Sequence, residues 1–294
     1  MKTDFLLVGG TGYIGRNLRH NLKSNSVMTS GYQSNDSDFV IDFNNPKTFK
    51  NLNGYQFDCV ILLAADINNN FNTTLNSISF ETNTNRFANF LEYICNNNKI
   101  KKLVFISSMT VYNSPMNIAF ETSYLKPLSS YGLSKKIGEE IVSFIAHTKK
   151  IKSLILRIPG VYGADRKSGL IFNTIKDLLN NKDIILNVNQ KFNWECIEIN
   201  DLNQIIKTLL AKYTWDKPFE IFNIGYGESM SFRDTIKHLI KQKGSNSKII
   251  MDMKYHHVFF MNIDKLNDIF EHNYNFLTSL NKYSKKTIHE LCNR

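Results

Sequence analysis

The sequence predicts an α/β protein built on a doubly wound parallel sheet. Strand and helix signals alternate through its first half. The strands are nearly all apolar, as strands covered on both faces are. A glycine-spaced turn, Gly9-Gly10-Thr11-Gly12-Tyr13-Ile14-Gly15, separates the first strand from the first helix.

The elements follow in order. "DFLLV" stops abruptly at paired glycines and reads as a short buried strand, and Tyr13 to Leu22 takes up helical spacing. "SVMTSGY" and "DFVID" read as short strands, with Asp42 closing the third. "DCVILLAA" is a strong fourth strand that ends in small residues at Leu62–Ala65. From Asn76 to Asn97 the apolar residues Ile78, Phe80, Phe87, Phe90, Leu91 and Ile94 recur at helical spacing. "KLVFISS" is the fifth strand, Tyr131 to His147 a helix and "SLILRI" a strand. Each parallel crossover is expected to be right-handed. Past Pro159 the pattern loosens. A helix "GLIFNTIKDLLNN", a strand "DIILNV", a strand-to-helix run from Cys196 to Tyr213 and a strand "FEIFNIG" follow. The tail reads as a helix from Phe232 to Gln242, a strand "KIIMDM" and short helices. The expected organisation is a dinucleotide-binding domain over 1–160, with 195–224 returning to it, and a smaller interleaved lobe for substrate over 161–194 and 225–294.

The glycine turn points to a phosphate-bearing ligand. One glycine permits backbone angles closed to other residues. A second lets a diphosphate approach the main chain, and a third lets the helix lie close on the sheet, the dinucleotide-binding arrangement of a Rossmann fold. The helix N-terminus then offers free N–H groups and a positive dipole end. Asp42 is placed either to accept from an adenine amino group or to hold a turn.

A second constellation carries the reaction. Ser108 closes the fifth strand, where open α/β sheets bind ligands. Tyr131 and Lys135 are four apart and share one helical face. A phenol has an unperturbed pKa near ~10. A lysine ammonium beside it and a cationic nicotinamide favour the phenolate, so Tyr131 can exchange a proton with a sugar or alcohol oxygen while hydride moves. Ser108 would hydrogen-bond the same oxygen. Tyr213 and Lys217 share the spacing, but they stand before Pro218 with no strand-end serine upstream. That pair reads as accidental.

Composition narrows the partners. The 294 residues are 42% hydrophobic and 21% charged, an ordinary soluble balance. No apolar run approaches the ~20 residues of a membrane span. The N-terminus runs straight into a strand with no signal-peptide pattern, so a cytoplasmic location is expected. The formal charge is +10, yet the lysines come in twos, as at Lys101–Lys102, Lys135–Lys136, Lys149–Lys150 and Lys285–Lys286. Scattered pairs argue against nucleic acid. They suit a lysine-rich surface or attraction for a small polyanion. Cys59, Cys95, Cys196 and Cys292 form no CxxC pair, which argues for reduced thiols and against a metal site.

With "GGTGYIG", "LLAA", "ISSMTVY", "YGLSK", "RIPGVYG" and "FNIGYGESMSFRD" the chain resembles, over nearly its whole length, the extended short-chain dehydrogenase/reductases of the NAD-dependent epimerase/dehydratase group, which act on nucleotide sugars. The resemblance implies Tyr131 as catalytic acid/base, with Lys135 as its partner and as a holder of the nicotinamide ribose. Ser108 would polarise the substrate oxygen, with Met109, Thr110 and Gly160 beside the substrate. Asn83 matches the asparagine that opens the family's fourth helix, and Pro159 to Val161 match the segment beside the nicotinamide. The implied cofactor contacts are Gly9, Gly12, Tyr13, Ile14, Gly15, Arg16, Asp42, Phe43, Leu63, Ala64, Ala65, Asn83, Tyr131, Lys135, Pro159 and Val161. Family members pair through two helices, those led here by Asn83 and Tyr131, so a homodimer is expected.

Departures from the family pattern narrow the activity. Dehydratases carry an Asp-Glu pair where this chain has Met109 and Thr110. Galactose-type epimerases place an asparagine at Gly160, and the usual arginine before the "CIEINDL" stretch is Trp194. Lys254, His256 or Arg233 are the replacement cations for a sugar diphosphate, or ordinary surface residues. The fucose-synthase type expects a cysteine near Met109 and a histidine in the substrate lobe, and neither is in place. Three readings remain: a keto-sugar nucleotide reductase, which is favoured, a 4-epimerase with tightly bound NAD, and a protein that binds NADP without turnover. Cofactor choice separates the first two. The second strand ends "TSGYQS" from Thr29 to Ser34 and holds no acid to accept from ribose hydroxyls. Ser30 and Gln33 can donate to a 2′-phosphate, and Tyr32 can stack on adenine. Arg16 is either a cation for that phosphate or a solvated first-turn arginine. Asp36 and Asp38 come later, in the loop. NADP(H) is therefore expected over NAD(H).

Overall fold

The computed structural model describes all residues except 23–25, 34–35, 68–74, 76, 113–117, 187–194, 229–230, 252–258 and 294. The chain divides into two compact units. The first comprises Met1–Asn113, Glu121–Ile158 and Lys207–Asn223, and the second comprises Ser114–Phe120, Pro159–Ile206 and Ile224–Arg294. The stretch expected to return at 195–224 is thus shared, with 195–206 in the second unit.

The chain forms strands β1 (Lys2–Val8), β2 (Val27–Gly31), β3 (Phe39–Val40), β4 (Gln56–Leu62), β5 (Lys99–Ser108), β6 (Ile118–Ala119), β7 (Lys152–Ile158), β8 (Gly160–Tyr162), β9 (Ile184–Leu186), β10 (Cys196–Glu198), β11 (Phe219–Asn223), β12 (Ile249–Met251) and β13 (Phe260–Met261). The first unit is a seven-stranded sheet in the order β11-β7-β5-β4-β1-β2-β3, with every pair parallel. Read from the other edge, this is the Rossmann order with one strand added, and its switch point falls between β1 and β4. The apolar runs explain the central strands. Leu6, Leu7, Val60, Ile61, Leu103, Val104, Leu154 and Ile155 are all buried.

The helices are α1 (Tyr13–Asn21), α2 (Ile78–Glu81), α3 (Phe87–Asn97), α4 (Ser130–Lys149), α5 (Leu170–Leu179), α6 (Ile199–Lys212), α7 (Phe232–Lys243), α8 (Asp264–Asn267) and α9 (Phe276–Cys292). A π-helical turn, Thr82–Arg86, joins α2 to α3, so the segment expected as one helix contains a wide turn. Helix α4 starts where the Ser129 hydroxyl accepts the Gly132 N–H at 3.0 Å. One core cluster joins Leu6, Val60, Leu62 and Ile155 of the sheet to Phe90, Leu91 and Ile94 of α3.

Three expectations are corrected. The third strand is only Phe39–Val40, so Asp42 lies beyond it. The fourth ends at Leu62, leaving Leu63–Ala65 in the following loop. The tail holds one long helix, α9, rather than short helices alone; Phe276, Leu280, Tyr283 and Thr287 form its buried stripe. In the second unit, short parallel pairs join β8 to β10, β9 to β12 and β6 to β13. No helix among the described residues is long and apolar enough to cross a membrane.

Candidate active site

The glycine turn is held by backbone hydrogen bonds, to the neighbouring strand β2 and within itself. The N–H groups of Gly9 and Gly10 donate to the Ser30 carbonyl at 3.1 and 2.9 Å, and Gly12 N–H donates to the Gly9 carbonyl at 3.0 Å. Gly9 has φ +84°, and a Cβ there would stand 2.7 Å from the Ala64 nitrogen. A Cβ on Gly15 would stand 2.5 Å from the Gly9 oxygen. A Cβ on Gly12 would meet only that same oxygen, at 3.2 Å. Gly9 and Gly15 therefore permit close packing, while Gly12 keeps a wall open. Gly12 also caps α1 without a side chain.

That open wall belongs to a cleft of about 480 Å³ at the carboxyl ends of β1, β2 and β4. Seven of the expected cofactor residues line it: Gly9, Gly12, Asp42, Phe43, Leu63, Ala64 and Ala65. Ser30 and Tyr32 line it too, as do Thr11, Gly31, Asn44, Asp66, Ile78 and Thr82, which sequence reading missed. Their only signal in the sequence is position just past a strand end or at a helix start. Asp42 both lines the cleft and holds a turn, its carboxylate accepting from the Asn44 N–H at 2.8 Å. Phe43 is anchored by stacking on Phe90, with centroids 4.8 Å apart. Tyr13, Ile14, Gly15 and Arg16 form the first turn of α1, and the Arg16 guanidinium lies 5.8 Å from the Tyr13 ring centroid.

Asn83 does not line the cleft, but it holds the residue that does. Its Oδ1 accepts the Asp66 N–H at 2.8 Å and its Nδ2 donates to the Asp66 carbonyl at 2.9 Å. Asn83 lies within the π-helical turn. Such turns frequently mark functional sites.

Asp38 is occupied elsewhere. Its carboxylate accepts from the Thr29 N–H at 2.8 Å and the Thr29 hydroxyl at 3.0 Å, and Arg19 lies 3.6 Å away. Asp42 and Asp66 are the acids among the described residues that line the cleft, and neither stands on β2.

Ser108 sits at the end of β5, its hydroxyl accepting from Thr110 N–H at 3.2 Å and from Thr110 Oγ1 at 3.0 Å. Tyr131 is the second residue of α4, whose first turn packs hard on the turn after β5. A Cβ on Gly132 would lie 2.3 Å from the Thr110 carbonyl oxygen. Ser108, Met109, Thr110 and Tyr131 thus come from two elements in direct contact. The Lys135 ammonium lies 5.9 Å from the Tyr131 ring centroid and 4.7 Å from that of Phe105. It donates to the Ile106 carbonyl at 2.8 Å. Burial pushes the Tyr131 phenol up to about 12. Burial pulls the Lys135 ammonium down to about 8, against the opposing pull of Glu139.

Pro159, Gly160 and Val161 lie in the second unit, where Gly160–Tyr162 pairs with Cys196–Glu198. Arg233 is exposed in the first turn of α7. Ser34, Trp194, Lys254 and His256 lie outside the described residues. The other YxxxK pair is structural: Tyr213 packs on Trp215 and Phe222, and Lys217 pairs with Glu220 at 3.1 Å. All four cysteines are free thiols, with Cys59 and Cys196 buried and Cys292 exposed.

A parallel sheet in this order, with a glycine turn and a cleft at its switch point, defines a dinucleotide-binding protein of the Rossmann class. The model of the NAD dependent epimerase/dehydratase family matches residues 5–225, and the chain belongs to that family. It is an NAD(P)-dependent enzyme of the extended short-chain dehydrogenase/reductase type. It is 29% identical to a putative UDP-glucose 4-epimerase of Methanocaldococcus jannaschii, over 81% of this chain and 83% of that one. It is 27% identical to a dTDP-4-dehydro-6-deoxyglucose reductase of Escherichia coli, over 80% of each. Its fold matches a UDP-glucuronic acid 4-epimerase from Bacillus cereus, solved with UDP-glucuronic acid and NAD, at a TM-score of 0.81 and 22% identity, covering 99% of this chain and 100% of that one.

Proposed function

We propose that the protein reduces the 4-keto group of a nucleotide sugar, using NADPH. The observation that carries this reading is the wall of the cleft at the end of β2. Ser30, Gly31 and Tyr32 stand there with no carboxylate among them, and Asp38 is tied to Thr29 and Arg19. A 2′-phosphate meets no like charge on that strand, and Arg16 stands on the adjoining helix turn. The first unit binds the dinucleotide and the second takes the nucleotide sugar.

The glycine cradle fits such a cofactor. Its diphosphate would lie against Gly12, where a side chain would fill the space. Bound NADPH supplies a hydride. Tyr131 supplies the proton: a phenol pushed up to about 12 is neutral at physiological pH and can donate to the developing alkoxide. Ser108 hydrogen-bonds the same oxygen. Lys135 places a positive charge beside the phenolate that remains and lowers the cost of forming it.

The second reading is a 4-epimerase that keeps NAD bound and both removes and returns the hydride. The name of the Methanocaldococcus relative favours it. Mass spectrometry of cofactor released from freshly purified protein separates the two. Empty or exchangeable NADP supports the reductase, and stoichiometric NAD supports the epimerase. The protein acts as a homodimer paired through the helices that carry Asn83 and Tyr131. Light scattering showing only monomer at micromolar concentration would oppose that pairing.

A further inference from the structure

Behind Tyr131 and Lys135 lies a polar network whose other members the reaction does not touch. Glu139 is one helical turn beyond Lys135 on α4, and both are only 4% exposed. Arg157 on β7 grips the Glu139 carboxylate with two hydrogen bonds, Nε to Oε1 at 3.0 Å and Nη2 to Oε2 at 2.7 Å. The Ser107 hydroxyl donates to Oε1 as well. The other end of the guanidinium donates to the Tyr112 hydroxyl at 3.0 Å and to the Glu121 carbonyl at 2.9 Å. Tyr112 in turn donates to the Asn223 side chain, and the Asn223 N–H donates to the Glu121 carboxylate at 2.9 Å.

Such an ion pair is a poor source of stability, since its desolvation cost cancels most of its attraction. What it does is hold the Glu139 carboxylate in one place, one helical turn from Lys135. Lys135 needs that charge. Its ammonium is buried over the Phe105 ring with the Ile106 carbonyl as its acceptor. Among the described residues, Tyr131 and Glu139 on its own helix stand beside it, with Arg157, Tyr112 and Glu121 reached through Glu139. Successive strand residues face opposite ways. Ser107 therefore turns to Glu139 while its neighbour Ser108 takes the other face.

We propose that Glu139 is a positioning residue for the reaction: held by Arg157 and Ser107, its carboxylate keeps the Lys135 ammonium charged beside Tyr131. This rests on the reading of Tyr131 and Lys135 as the reacting pair. Without that carboxylate, the charge that opposes burial is gone, and the ammonium gives up its proton more readily. Tyr131 then loses the cation that stabilises its phenolate.

The test follows the Lys135 amine directly and needs no substrate. Protein labelled with ¹³C at the lysine ε-carbon is titrated by NMR, with the Lys135 signal assigned by its loss in Lys135→Met. In Glu139→Gln the midpoint falls by about one pH unit or more, the size of one nearby opposite charge. In the double variant Glu139→Met/Arg157→Met the buried pair is replaced by apolar groups, so the fold is kept if the single variant fails. Its midpoint also lies below wild type. An unchanged midpoint in folded Glu139→Gln makes the pair a structural strut and overturns the proposal. So does a double variant that titrates like wild type, because the effect would then come from an orphaned Arg157. Should Tyr131→Phe retain full turnover, the catalytic reading fails while this titration stands on its own.

Discussion

Gly15 lies so close to Gly9 that a Cβ on it would stand 2.5 Å from the Gly9 carbonyl oxygen. The third glycine of the turn is thus a packing requirement, and the second is a different matter. Gly12 has φ −69° and ψ 170°, angles that any residue adopts.

The two substitutions should therefore separate. Gly15→Ala overpacks the turn and should cost about 1–3 kcal/mol, read as a lower melting temperature. Gly12→Val should melt close to wild type and bind NADPH at least ~10-fold more weakly, because its methyl groups enter the space kept for the diphosphate. Fluorescence titration and a thermal melt on both variants check this. A folded Gly12→Val with normal affinity would refute the cradle.

Asn83→Ala removes two hydrogen bonds that fix Asp66 at the cleft wall. At about 0.5–1.5 kcal/mol each, their loss should weaken NADPH binding roughly tenfold. Asn83→Asp keeps only the accepting bond and should fall between. Wild-type affinity in Asn83→Ala would show that the wall holds without the clamp.

The sheet and the positions of Ser108, Tyr131 and Lys135 were legible because their signals are local. An apolar run stopping at glycines, a strand-end serine and a four-residue spacing each lie within a few residues. The remainder depended on the order of the strands. Ser30 and Tyr32 were readable from the end of β2, but Gly31, Ile78 and Thr82 reach the cleft only because β2, β1 and β4 are neighbours. The third strand begins only after Asp38, whose carboxylate accepts from Thr29 of β2, and ends before Asp42, whose carboxylate holds a turn through Asn44. The wide turn around Asn83 holds no apolar residue that would mark its register, so the helical spacing of the flanking apolar residues runs through it unbroken. Nothing in the linear spacing of Glu139 and Arg157 announces their pairing, which requires α4 to lie on β7.

NADPH should bind at least tenfold more tightly than NADH, a gap of about 1.4 kcal/mol. One charge-assisted phosphate contact is enough to supply it. The check is titration of both cofactors at one ionic strength. Equal affinities, or tighter NADH, would move the reading to the epimerase.

Stability should carry the mark of Glu195, 2% exposed in the second unit. Burial pushes its carboxyl up to about 8, while the N–H of Met261, at 2.7 Å, pulls the other way. Between the unfolded value near 4.5 and about 8, the folded state holds a proton that the unfolded state has lost. Stability from this group is therefore full at low pH and falls as pH rises through that window. Glu195→Gln keeps an acceptor for Met261 and has nothing to titrate. Its melting temperature relative to wild type should rise steadily from pH 5 to pH 8, and a flat difference would contradict the burial argument.

The most direct test of the oxidoreductase reading is loss of NADPH absorbance at 340 nm with a panel of nucleotide-linked 4-keto sugars, run on wild type and Tyr131→Phe. The phenol is the proposed proton donor, and its ring packing survives the substitution. General acid–base catalysis contributes ~10²–10⁴-fold. The expected result is substrate-dependent oxidation by wild type and a rate at least ~100-fold lower in Tyr131→Phe, with NADPH affinity nearly unchanged and Tyr213→Phe behaving as wild type. A Tyr131→Phe rate within tenfold of wild type would contradict the assignment.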